Sequence, residues 1–459
     1  DVFEMEDQRN WTDASFKTYS TPLRLPIPVE ITVGTKIAQS IVLSLQGVAP
    51  EEPPTESPTT ITIGAAPTSA IPRIGLGAAT HGKPLTAREV LRLRELHPGH
   101  LRVDVRLADP NYPAAFRVAH ADAAALGVPL EIALFLTDQG DQELESLRAF
   151  LGELQPRVIR WLVLHVSERP TSARWIGAAR RKLAAISPEA DFGSGTDADF
   201  TELNRARPIV GRLDFVSYAI NPQVHAFDNL SIVETLETQA GTVDSAHQFI
   251  GNRPIAITPI TLKQRFNPVA SDLETAGPSS TELPGPVDVR QMSLLGAAWT
   301  VGSLKYVGES GVASVTYYET TGWRGVLERE DELPLPTLFR SFPGSAFPLY
   351  HILADIGEFA GGEMIPVRTS RPLQVDGFAV TRDGRTRIVV ANLTNDPQWA
   401  KLAGLPASVT IKRLNETNVE LAMRAPEEFR LTPGTRVSVL DGMLSLELPA
   451  YGIARIDRA

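Results

Sequence analysis

Cysteine is absent from all 459 residues. That excludes disulfides, a thiolate nucleophile and cysteine-ligated zinc, and it fits a cytoplasmic enzyme. Long apolar runs are missing too. The stretch "WLVLHV" falls far short of the roughly 20 residues a membrane span requires, so no membrane partner is expected. Basic charge is in deficit, with 44 Lys and Arg against 54 Asp and Glu and a net charge of −10. With no basic stripe to override that balance, no nucleic-acid partner is expected. No G-x-S-x-G elbow, H-E-x-x-H or H-x-H occurs, so the common serine-hydrolase and zinc signatures are lacking. The chain also lacks an initiator Met and begins in mid-pattern on "DVFEMED", which leaves room for residues upstream.

What is present is a globular composition, 43% hydrophobic and 21% charged, in a chain long enough for two or three domains. Residues 4–19, "EMEDQRNWTDASFKTY", thread Trp11, Phe16 and Tyr19 between six charges, a pattern that suits neither a solvated tail nor a core strand. After them, "LRLPIPVEITVGTKIAQSIVLSLQG" reads as β-branched strands broken by Pro and Gly. The Pro/Glu/Thr/Ser-rich "VAPEEPPTESPTT" at 48–60 reads as a connector. Residues 1–60 are therefore expected to form a β segment and linker.

From residue 61 to 362 eight short apolar runs alternate with amphipathic stretches such as "TAREVLRLRELH" and "SARWIGAARRKLAAI". The runs are "IPRIGLGAA", "LRVDVRL", "PLEIALFL", "VIRWLVLHV", "ADFGSG", "LDFVSYAI", "PIAITPI" and "ASVTYY". Thr86 with Glu89 and Ser231 with Glu234 have the spacing of capping boxes at helix starts. Eight strand-then-helix units predict an α/β fold with a (β/α)8 TIM barrel, in preference to a doubly wound open sheet. Residues 363–459 lose the helical period and predict an antiparallel β-sandwich.

In such barrels the site lies at the C-terminal strand ends. That rule selects His81 after strand one, Asp104 and Arg106 on strand two, and His165 and Glu168 after strand four. It then selects Asp197 and Asp199 after strand five, His225 and Asp228 after strand six, and Lys263 and Arg265 after strand seven. Glu319, Trp323 and Arg324 follow strand eight. Glu319 stands out, because the neighbouring Tyr317, Tyr318 and Trp323 suit a sugar ring and an apolar setting raises a carboxyl pKa. Its competing reading is a salt bridge to Arg324. His81, His165 and His225 are the residues that would meet on a metal, although no metal and no cofactor are expected. Strand seven ends in Lys263, where a retaining glycosidase needs its carboxylate nucleophile.

Five blocks, "EMEDQRNWTDASFKTY", "GTDADFTELNR", "NPQVHAFDN", "ITLKQRFNP" and "VASVTYYETTGWRGV", occur in that order and resemble the D-apionate lactonase family. The resemblance runs from the first residues to about residue 330. It implies a barrel flanked by β domains that hydrolyses the lactone of a branched-chain sugar acid in bacterial apiose breakdown, with the small sugar lactone as partner. No individual residue role comes over with it.

Lactone opening needs a base for water, a donor for the oxyanion and an acid for the ring oxygen. The expected roles are Glu319 as base, His225 or Glu168 as acid, and Arg106 or Lys263 against the developing charge. His81, His165, Asp197, Asp228, Tyr318, Trp323 and Arg324 would bind hydroxyls. Asp7, Arg9 and Asn10 would reach in from the N-terminal block, or else hold the β segment on the barrel as a polar network. The loop at 264–288 is a lid or a surface insertion. Glycoside hydrolysis and a non-catalytic carbohydrate-binding role are the alternatives.

Overall fold

The computed structural model describes residues 2–458 except 20, 27, 41, 43, 45, 48–57, 267–280 and 332–334. Most of the connector, residues 48–57, and the centre of the 264–288 loop thus lie outside the described residues.

Eight parallel strands close a barrel in chain order: Arg73–Gly77, Leu101–Arg106, Leu130–Leu136, Val158–His165, Asp191–Gly195, Val216–Ile220, Ile255–Ile260 and Ser314–Thr321. The eighth pairs with both the seventh and the first, which completes the ring. All eight predicted runs contain a barrel strand, and helices follow each of them. These runs are apolar at almost every position because one face fills the barrel and the other meets the helices. Thr86 and Glu89 form the predicted capping box at Ala87–Arg94. Ser231 does not start a helix. Asp228 caps Asn229–Ile250 instead, three residues earlier, by accepting from the Ser231 amide and hydroxyl.

Beyond residue 363 lies a sandwich of one seven-stranded and one four-stranded sheet, with an apolar core of residues such as Ile388, Val390, Leu402 and Leu446. Two of its strands, Thr59–Ile63 and Ser69–Ala70, come from before the barrel, pairing with Val367–Thr369 and Glu363–Ile365 respectively. The boundary expected at residue 60 falls inside the first of these strands. A buried pair, Lys305 Nζ to the Asp376 carboxylate at 2.6 and 2.8 Å, ties the sandwich to the helix after the seventh barrel strand.

The strands expected between residues 23 and 47 are absent among the described residues, where Val29, Ile31, Val33, Ile37 and Val42 are exposed. β-branched residues favour a strand only when a neighbouring edge and a packed face receive them, and the described chain provides neither here. The block at 4–19 is a small hairpin, Met5–Asp7 with Phe16–Thr18, around a 3₁₀ turn at Gln8–Trp11.

Candidate active site

Gly195 ends the fifth barrel strand, and a Cβ there would meet the Ser217 carbonyl oxygen at 2.0 Å. The close approach of strands five and six is thus reserved for glycine, and Asp197 and Asp199 follow it on the loop that lines the cleft at the barrel mouth. Asp197, 7% exposed, accepts from Arg102 Nη2 at 2.5 Å and from Arg265 Nη2. The Arg265 Nη1 donates to Asp104 Oδ2 at 3.1 Å, and Arg102 Nε donates to Asp104 Oδ1 at 3.0 Å. Desolvation acts to raise the Asp104 carboxyl, but Arg102 and Arg265 outweigh it and hold the group at about 2. Arg106 lies 3.9 Å from Asp197 Oδ2, its guanidinium 3.8 Å over the Phe135 ring, and is half exposed. Three guanidiniums, those of Arg102, Arg106 and Arg265, therefore share the carboxylates of Asp104 and Asp197 beside the mouth.

Beside this cluster is a cleft of about 270 Å³ at the ends of strands five, six and seven, lined by Asp197, Asp199, Asn221, Thr261, Gln264 and Arg265 among others. It is polar on several sides and open to solvent. Lys263, the cation expected after strand seven, is half-buried, and its carbonyl accepts from the Thr261 hydroxyl at 2.7 Å. Arg265 follows on the same loop. Two residues further along the loop than Lys263, it reaches back to strands two and five with a planar fork that lysine lacks.

Glu319 has both carboxylate oxygens engaged. Oε2 accepts from the Thr80 amide and hydroxyl at 3.0 and 3.1 Å, and Oε1 pairs with Arg324 at 2.6 Å. Burial raises its pKa, and Arg324 and Thr80 pull the other way. The competing salt-bridge reading is the observed geometry. Tyr318 does not face the mouth: it is 1% exposed and bonds Thr300 at 2.7 Å on the outer helix, as Tyr317 bonds Ser303 at 2.8 Å. Neighbouring strand residues point oppositely unless the strand is bulged. Here Tyr318 sits at φ +53° beside a register shift, so both rings turn outward and Glu319 turns in. Trp323 packs on Phe339, with ring centroids 6.1 Å apart.

Glu168 is likewise committed, Oε2 to the Ser172 amide at 2.8 Å and Oε1 to the Trp175 indole at 2.9 Å. Desolvation opposes these bonds without cancelling them, and the carboxyl stays below its usual value. His165 stacks on Trp175 and accepts at Nδ1 from the Ser167 and Glu168 amides, which places its proton on Nε2. His81 accepts from the Lys83 amide and faces the Thr321 hydroxyl at 2.9 Å; burial, with Arg329 and Lys83, lowers it to about 4, so it is neutral at pH 7. Asp228 is exposed and serves as the helix cap already described. The three histidines do not meet, and no metal-binding group of side chains occurs among the described residues.

The N-terminal block rests on the helices after strands five and six rather than in the mouth. Asp7 and Arg9 pair with each other at 2.7 Å in the open, and Asn10 accepts from Asn204 at 3.1 Å. Deeper contacts come from residues that sequence reasoning passed over. Thr12 donates to the Asn221 carbonyl at 2.8 Å, and the buried Asp13 accepts from His225 Nδ1 at 2.5 Å. Burial raises the Asp13 carboxyl and His225 lowers it. The block is thus a polar network that clamps the loop carrying Asn221. Asp13→Ala is expected to cost about 1.5–3 kcal/mol of clamping and to make the first twenty residues sensitive to protease, read by limited proteolysis.

Models of the D-apionate lactonase family match three segments: its N-terminal domain at 1–48, its TIM barrel domain at 74–361 and its C-terminal immunoglobulin-like domain at 372–456. The chain belongs to the D-apionate lactonase family. A D-apionate lactonase of Brucella anthropi is 30% identical over 424 residues, which cover 88% of this chain. The chain spans 66% of that relative's length. Among solved structures, the CelM2 glucanase-xylanase from a metagenome library superposes with a TM-score of 0.58 at 11% identity, covering 87% of this chain and 99% of that one. The family 51 α-L-arabinofuranosidase AbfB of Bifidobacterium longum gives 0.57 at 13% identity, covering 88% and 100%. At such identities these two speak for the shared barrel-and-sandwich fold and not for the chemistry.

Proposed function

We propose that this chain is a hydrolase that opens the lactone ring of D-apionolactone, or of a closely related branched sugar-acid lactone, to the hydroxy acid. The observation that carries the reading is the guanidinium of Arg265, fixed by two carboxylates at the strand-five-to-seven cleft with Arg106 beside it. A lactone carbonyl becomes an oxyanion on attack and the product is a carboxylate, so both the transition state and the product carry negative charge that a carbohydrate glycoside does not. Arg265 and Arg106 are suited to hold that charge, with Asp104 and Asp197 fixing the fork of Arg265 before the substrate arrives. Asn221, Thr261 and Gln264 are suited to the hydroxyls. Glu319, Glu168 and His225, each bound to protein partners, serve in this reading as supports of the mouth rather than as proton-transfer groups. Membership of a lactonase family supports the substrate class.

The test is proton release in a weakly buffered solution on adding D-apionolactone, alongside simple aldonolactones and aryl glycosides. Selective release from the branched lactone is the expected result. Cleavage of the glycosides with no lactone opening would replace this reading by glycoside hydrolysis, for which strand seven offers Thr261, Leu262 and Lys263 but no carboxylate.

A further inference from the structure

Asp199 occupies the position before the helix Phe200–Arg205, with an extended backbone at φ −71° and ψ 175°. An aspartate there ordinarily accepts from the second or third amide of the helix, as Asp228 does at the start of its own helix. Asp199 makes no such bond at full hydrogen-bond geometry, and the Thr201 and Glu202 amides stand only near enough to oppose the rise of its carboxyl. Both of its oxygens are buried without a hydrogen-bond partner among the described residues, the residue is 4% exposed, and it lines the cleft beside Arg265, Asn221, Thr261 and Gln264. A desolvated carboxylate left unpaired is costly, and folded chains rarely keep one without a use.

We propose that Asp199 is the catalytic proton-transfer group of this cleft, acting first as general base and then as general acid on a lactone bound against Arg265. The assignment rests on the lactonase reading above. In the first step the Asp199 carboxylate takes a proton from water as the water oxygen bonds to the carbonyl carbon. The carbonyl π pair moves onto oxygen, facing the guanidinium. In the second step that pair re-forms the carbonyl and the ring carbon–oxygen bond breaks. The leaving oxygen takes the proton from the Asp199 carboxylic acid. Water and lactone thus give one hydroxy acid, which ionises and releases a proton to solution.

The surroundings suit a group that must do both. Burial and the nearby Glu202 carboxylate raise Asp199 to about 7, against the Glu202 and Thr201 amides and Arg205 on the same short helix. Asp197 and Arg265 face the same cleft from the fifth strand and the loop after the seventh. A group titrating near the working pH is at its most effective in either direction.

Asp199→Asn is the test, with D-apionolactone as probe. The expected result is a fall in kcat of about 10²–10⁴-fold with KM little changed. The unaltered chain should show kcat/KM rising as the pH passes about 7, a limb absent from the residual activity of the variant. Because folding favours the protonated form, stability owed to this group is present at low pH and lost as pH rises through about 7. The asparagine variant should therefore have an equal or higher Tm above that pH. A variant that keeps its turnover and its pH limb overturns the proposal and leaves the lactonase reading standing. Should asparagine unfold the barrel, the profile of the unaltered chain decides, and one that is flat across about pH 7 overturns the proposal. If the unaltered chain opens no lactone, the functional reading itself has failed, and the proposal with it.

Discussion

Arg265→Ala is expected to lower kcat/KM for lactone opening by about 10²–10³-fold, the usual effect of removing one preorganised donor from a developing oxyanion. The side chain is 13% exposed and held at three points, by Asp104 Oδ2, the Asp197 carbonyl at 2.8 Å and the Asp197 carboxylate. The loss should fall on kcat more than on KM, because the charge it opposes is largest in the transition state. Arg265→Lys should recover little, since an ammonium cannot bridge two carboxylates with a planar fork and face a third oxygen. Steady-state kinetics of the three chains check this. The unfolding midpoint of the alanine variant should change little, because Arg102 remains on both Asp104 and Asp197. Equal loss of activity and of fold would contradict the role given to Arg265.

Glu131→Ala is expected to cost about 3–5 kcal/mol of folding stability, the effect of leaving a buried charge without its partner. Glu131 is 1% exposed inside the barrel and accepts from Arg160 Nη1 at 2.9 Å and from the Thr258 hydroxyl at 2.5 Å. Thr258 in turn accepts from Arg102 at 3.0 Å and meets the Thr316 hydroxyl at 2.7 Å, and Thr316 meets His100 at 2.8 Å. The column beneath the site is thus built from charges and hydroxyls where barrels ordinarily carry Val, Ile and Leu. Burial works to raise the Glu131 carboxyl, but His100, Arg160 and Arg102 lower it further than that. A carboxyl lowered by folding adds stability above its ordinary value of 4.5, and loses it as pH falls towards the lower folded value. Urea unfolding of Glu131→Ala and of the unaltered chain at neutral pH measures the difference. A variant that unfolds at the same concentration would show the column to be ornamental.

The barrel was legible because buried parallel strands read as unbroken apolar runs, and because Thr86 with Glu89 marks a helix start unambiguously. The sandwich was legible from residue 363 onward. Its two early strands were not, since Thr59–Ile63 and Ser69–Ala70 pair with strands some three hundred residues away and nothing local says so. The strand-end rule did pick out Asp104, Arg106 and Asp197, which lie in one cluster of ion pairs. It misjudged Tyr318, because a left-handed tyrosine leaves no mark in "TYYETT" and strict alternation was the only guide. It gave Glu319 and Glu168 chemical roles when neighbouring amides, an indole and Arg324 already occupy them. Arg265 and Asp199 were in view beside Lys263 and Asp197. Only three-dimensional placement shows that one is clamped against two carboxylates and that the other is buried with no hydrogen-bond partner at full geometry. Within the first block the aromatics drew attention, whereas Thr12 and Asp13 make the contacts that matter, and small polar residues in a charged run give no periodic signal.

The most direct measurement is a crystal structure of this chain with the product hydroxy acid, D-apionate, bound. The account predicts the product carboxylate in the strand-five-to-seven cleft, within hydrogen-bond distance of Arg265 and beside Asp199. Product bound instead against Glu319, Arg324 and Trp323 at the end of strand eight would contradict it.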